Sequence, residues 1–213
     1  MQTRYHSRSR RSRAGVTLPE LLIVMVTFTV VMGAVFVLHL QSLRTWYRAH
    51  AEATAEERAA WAVEQMSWDL RLAMRVDEAQ PTWIVVTLPL QDDNHDNVIT
   101  VQDCIPRLSN GDQVMFYLSD DTGSLGAQGH CLWKAVKPVG GSHFLPRKKI
   151  AEGIYPQENP IDPDTGQPRP MFVYWPDMLH SRGVEMTVTA IHKGGPHTYQ
   201  RTEIAEAYLR NPI

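Results

Sequence analysis

The chain has 213 residues, enough for one domain and an anchor, and its 43% hydrophobic and 21% charged content excludes global disorder. A net charge of -2 hides an asymmetry: five of the 21 basic residues, Arg4, Arg8, Arg10, Arg11 and Arg13, lie in the first 15 positions, with no acid among them. The remainder carries 16 basic against 23 acidic residues, so there is no electrostatic reason to expect nucleic-acid binding. After the arginines, Leu21 to Leu38 form a run of 18 residues with no ionisable group, interrupted only by Thr27, Thr29 and Gly33. That length is close to the minimum for a helix that crosses the hydrocarbon core. The basic flank predicts a cytoplasmic N-terminus. The run ends in "VLHLQSLRTWYRAH", with no small-residue cleavage site, which argues against a cleaved secretory signal. Glu20 stands one residue before the run. A carboxylate there suits the first turn of a helix, but in an apolar bundle it needs a partner.

The segment "G-V-T-L-P-E-L-L" at Gly15–Leu22 resembles the processing site of type IV pilins and type II secretion pseudopilins. The resemblance implies cleavage by a prepilin peptidase between Gly15 and Val16, N-methylation of Val16, and Glu20 as the fifth residue of the mature chain. It further implies that Glu20 meets a terminal amine, its own or that of an adjacent subunit, and so helps to set the stagger of packed helices. Two positions depart from the usual pattern. Val16 stands where phenylalanine or methionine is more common, and Pro19 stands before the glutamate. Proline is harmless in a first helical turn, where its missing N–H would be unpaired anyway, and it places the helix start at Leu18–Pro19.

Beyond Leu40 the pattern becomes amphipathic. Ala55, Ala59, Ala62, Met66, Leu70 and Ala73 recur at helical spacing, with Trp61, Trp68 and Leu72 on an adjoining stripe that is read as core. No proline intervenes between Pro19 and Pro81. A single helix over about 18–76 would be roughly 85–90 Å long, oily all round in its first half and needing a partner for one face in its second.

After Pro81 short β-like segments alternate with turn signals. The candidate strands are 82–88, 97–103, 112–119, 130–136, 148–155, 171–175, 184–192 and 199–209. Eight strands without a second long helix predict an α+β fold: a long N-terminal α-helix packed against an antiparallel β-sheet head. The expected divisions are a basic leader over 1–15, a membrane or filament-core half-helix over 16–40, an amphipathic half-helix over 41–76 and a β-rich head over 77–213. The order of segments, from "MSWDLRLAMRV" through "CLWK", "IAEGI", "FVYW" and "VEMTVTAI" to "YLRN", resembles J-type minor pseudopilins and W-type minor pilins. That likeness implies a low-abundance subunit that primes or caps a fibre. Its expected partners are other pilins or pseudopilins, an inner-membrane assembly platform, and membrane lipid before assembly.

Little in the head suggests chemistry. Asp92, Asn94 and Asp96, and Asp162 and Asp164, place oxygens at alternate positions, as in the start of a calcium loop, although such turns are usually solvated. Cys104 and Cys131 are an even pair that an exported head would permit to bond, contributing about 3–4 kcal/mol by the chain-entropy argument; the alternative is two unpaired small hydrophobes. No catalytic motif is visible, and the expectation is a protein that is not an enzyme and needs no cofactor. Trp83, Trp133, Tyr174 and Trp175 are candidates for an aromatic contact surface, at least two of them expected in the core. The rival to a fibre subunit is a membrane-anchored exported binding protein or adhesin.

Overall fold

The computed structural model describes residues 15–90, 99–102, 105–144, 147–175, 182–194 and 197–209. The chain divides into two compact units, with the boundary between Trp46 and Tyr47. One helix, α1 (Leu18–Leu72), begins where Pro19 predicts. From Gly15 to His50 every residue is exposed. The helix is long and apolar enough to cross a membrane.

From Ala51 onward α1 buries one face. Ala55, Ala59, Ala62, Met66 and Leu70 are fully buried, as their spacing predicts. Burying each of Met66 and Leu70 contributes about 1.5–3 kcal/mol. Trp61 and Trp68 are a correction: they are 48% and 70% exposed. The stripe that makes the contact is mostly alanine, which brings the helix close to the sheet. An indole on the flank of so narrow a contact has no room and turns to solvent.

The helix ends at Leu72, short of the expected residue 76. The amide of Ala73 donates to the Leu70 carbonyl at 3.1 Å, tightening the last turn, and that of Met74 donates to Thr87 O at 2.8 Å. The chain thereby enters strand β1 (Arg75–Gln80), which pairs with β2 (Trp83–Pro89). Strands β3 (Ile99–Gln102) and β4 (Ile105–Leu108) form a separate pair. The long β5 (Asn110–Ser119) is followed by β6 (Cys131–Lys137) and β7 (Arg147–Glu152). The antiparallel sheet runs β1-β2-β5-β6-β7. A second sheet comprises β8 (Phe172–Trp175), β9 (Gly183–Gly194) and β10 (His197–Tyr208), in the order β10-β9-β8.

The segment after β7 stitches the two sheets together. Ile154 donates to His130 O at 2.8 Å and bridges Ala190, while Tyr155 donates to Thr189 O and Gly153 O accepts from Ile191. Gly153 is required there: its φ is +74° and a Cβ would lie 2.7 Å from Ile191 O. One face of the larger sheet, including Ile84, Val86, Val114, Phe116 and Leu132, joins the helix stripe in a single core. Polar clips flank that core. Asp69 of α1 meets Lys134 of β6 at 2.6 Å, and Arg58 meets Glu152 at 2.5 Å. The architecture is α+β, a long N-terminal helix packed against antiparallel sheet, as the sequence pattern predicts.

Candidate functional site

The expected processing segment is built around the first turn of α1. Gly15 and Val16 lie before the helix in exposed chain, and among the described residues no atom beyond the chain neighbours lies within 4 Å of where a Gly15 Cβ would be. Glu20 Oε2 accepts from the Thr17 amide at 2.9 Å and from Thr17 Oγ1 at 2.8 Å. Thr17 O in turn accepts the first helical bond, from the Leu21 amide at 3.1 Å. This is one half of a capping box: the acid three residues into the helix satisfies the amide of the residue that precedes it. Pro19 adds no unsatisfied donor. The carboxylate at the front of the apolar run is therefore held within two residues of Val16 by a local device. Its second oxygen has no intramolecular partner among the described residues. Thr17 is the residue that sequence reasoning passed over, although the spacing "TLPE" carries the signal.

The other candidate residues lie apart from this segment in sequence. Asp92, Asn94, Asp96 and Cys104 lie outside the described residues. Asp162 closes its own turn: Oδ1 accepts from the Asp164 amide at 3.2 Å, Oδ2 from Thr165 Oγ1 at 3.0 Å, and its carbonyl from the Gly166 amide at 2.8 Å. Asp164 is exposed beside it. Among the described residues no three His, Cys, Asp or Glu side chains are grouped to hold a metal. Cys131 is buried, without a disulfide partner among the described residues, and its Sγ donates to Asp121 Oδ1 at 3.2 Å. Burial, and then the Asp121 carboxylate, push its pKa up to about 11. Such a thiol is almost wholly protonated at neutral pH and a poor nucleophile.

Of the four aromatic candidates, all are half-buried. Trp83, Tyr117 and Trp133 are register partners on β2, β5 and β6, so they form a row on the sheet face opposite Ile84 and Phe116. The loop joining β5 to β6 is tied to this row: Tyr117 Oη donates to Gly123 O at 2.8 Å and Trp133 Nε1 to Asp120 O at 2.9 Å. Trp175 packs edge-on against Tyr208 with centroids 4.9 Å apart. Burial raises the pKa of Tyr174, whose hydroxyl has no hydrogen-bond partner among the described residues.

No protein-family model, curated protein or solved structure matches this chain.

Proposed function

We propose that the chain is a minor pilin-like or pseudopilin subunit that assembles into a type IV pilus or type II secretion pseudopilus. The carrying observation is one helix with two surfaces: an uncovered apolar first half opened by a single capped carboxylate, and a second half whose alanine stripe is built into a β-rich head. An apolar surface of that length requires lipid or other helices around it. In this reading the arginines before it favour a cytoplasmic N-terminus, with the head outside the inner membrane.

In this reading prepilin peptidase cuts between Gly15 and Val16, creating a cationic amine near Glu20, and Val16 is N-methylated. Extraction from lipid into a fibre then transfers the helix from one apolar environment to another. A carboxylate left unpaired in the fibre core would be costly, so an amine that meets it fixes the stagger between subunits. The subunit has no catalytic cycle; its work is packing with other pilins on an inner-membrane assembly platform.

The test substitutes Glu20→Gln, which keeps the shape and removes the charge. The variant is expected to be membrane-inserted and processed but absent from sheared or purified fibres. Undiminished incorporation would contradict the proposal. An intact leader in the unsubstituted chain would favour the membrane-anchored binding protein instead.

A further inference from the structure

Strand β10 pairs with β9 over twelve positions without a register shift. It is the last strand of its sheet, and among the described residues no other strand pairs with it. The direction of its backbone groups follows from β9. Thr187 and Ile191 donate to Met171 O and Gly153 O, and Thr189 O accepts from the Tyr155 amide. The odd-numbered residues of β9 therefore face β8 and the segment after β7, and the even-numbered ones face β10. Glu203 lies opposite Val188 and Ala205 opposite Met186, so the odd-numbered residues of β10 bond to β9. The amides and carbonyls of Thr198, Gln200, Thr202, Ile204, Glu206 and Tyr208 point to the outer edge. Among the described residues no group bonds them there.

The other sheet edges carry the usual guards against strand addition. β1 has a bulge between Val76 and Glu78. β7 presents Arg147, Lys148 and Lys149 in succession. β3, β4 and β8 have four residues each. β10 has no proline, no lysine and no bulge. A row of donors and acceptors at the strand repeat, over this length, is matched by another extended backbone.

The side chains along the edge narrow the partner. On the outer face Ile204 and Tyr208 are 49% and 60% exposed. On the core face Ala205 and Ala207 lie opposite the buried Met186 and Val184, and their small side chains leave room for larger apolar ones on an added strand. Glu206 stands between Ile204 and Tyr208, directly opposite Glu185, which already holds Arg169. Like charges in that position repel, so a cation arriving over Glu206 is favoured. A second copy fits poorly. Antiparallel self-pairing needs a two-fold axis normal to the sheet, which reverses the direction of α1 in the second copy. Under the membrane-anchored reading both helices enter one bilayer in the same direction. Parallel self-pairing brings Glu203 and Glu206 beside their own copies.

We infer that the free edge of β10 receives a strand from a different polypeptide, an extended segment with apolar residues at alternate positions and a lysine or arginine over Glu206. The probe is a capped peptide of about ten residues that alternates valine and threonine around one lysine. It is added to the full chain in micelles, and amide hydrogen exchange is followed at residue resolution. In the chain alone the amides of Gln200, Thr202, Ile204 and Glu206 should exchange fast, and those of Arg201, Glu203 and Ala205 slowly. The peptide should protect the fast set saturably. N-methylating one alternate set of its residues should weaken binding at least about tenfold, and methylating the other set should leave it unchanged. Glu206→Lys should reverse the preference between the lysine peptide and its glutamate counterpart, by about three- to fivefold each way. Ile204→Pro, which removes an N–H on the free edge, should keep the β9 pairing and abolish the protection. Slow exchange of the even-numbered set in the chain alone, no saturable protection, or equal binding of the two N-methylated peptides would overturn the inference. So would protection that grows with chain concentration in the absence of peptide, which would assign the edge to a second copy. None of these readouts depends on cleavage of the leader, so they fail separately from the fibre-subunit reading.

Discussion

Replacing Lys134 with methionine tests how the helix is locked to the sheet. Lys134 lies on the core side of β6, opposite Phe116 in the register, and its ammonium meets Asp69 at 2.6 Å. The two side chains differ in exposure: 27% for Lys134 and 11% for Asp69. Lys134→Met leaves a carboxylate in the helix–sheet seam without its cation, which costs about 3 kcal/mol, the low end for a broken buried pair. Asp69→Asn leaves a lysine whose long stem can carry its charge to water, and it keeps an acceptor oxygen in place, so the cost is about 1 kcal/mol. For a head of this size each kcal/mol lowers Tm by about 2–4 °C. The expected losses are therefore about 6–12 °C for Lys134→Met and about 2–4 °C for Asp69→Asn. The double variant should cost less than the sum of the two, by about 1–2 kcal/mol. Thermal melts of the full chain in micelles, followed by near-ultraviolet circular dichroism, supply all four corners of the cycle. Equal, small losses for the two single variants would refute the reasoning, since they would mean that Asp69 is solvated.

Gly153→Ala should cost at least about 2 kcal/mol, because it combines a left-handed backbone with a clash against Ile191 O; the same melts measure it. Trp68→Ala should change stability by no more than about 0.5 kcal/mol, whereas Met66→Ala, two residues away and fully buried, should cost about 2–5 kcal/mol. Cys131 should resist alkylation at neutral pH and react on unfolding. Its folded pKa of about 11 lies above the unfolded thiol value, so the stability gained by keeping it protonated is complete below that value and is lost as pH rises toward 11. Urea midpoints across the alkaline range check the sign, and peptide mapping without reductant shows whether Cys104 pairs with it.

The helix stripe was legible because burial enforces its period, and the cores of the eight expected strands because turn signals bound their runs of β-branched and aromatic residues. Two strands were not. Arg75–Gln80 is polar and rich in helix-forming residues; it becomes β1 because Met74 and the residues after it find their partners on β2. Ile105–Leu108 is short and contains Pro106, yet it pairs with β3. The exposure of Trp61 and Trp68 was hidden for another reason: periodicity locates a buried arc but not its width, which the small alanines narrow. Glu20 was legible as an anomaly. Its partner Thr17 required the capping-box spacing to be read as geometry. The row of Trp83, Tyr117 and Trp133 was invisible in sequence, since it is made by register across β2, β5 and β6.

The most direct test of the fibre-subunit account is the intact mass of the chain after co-expression with a prepilin peptidase. The account predicts the mass of residues 16–213 with one added methyl group, located on Val16 by fragmentation. A chain that retains Gly15 and the arginines before it, in the presence of an active peptidase, would contradict it.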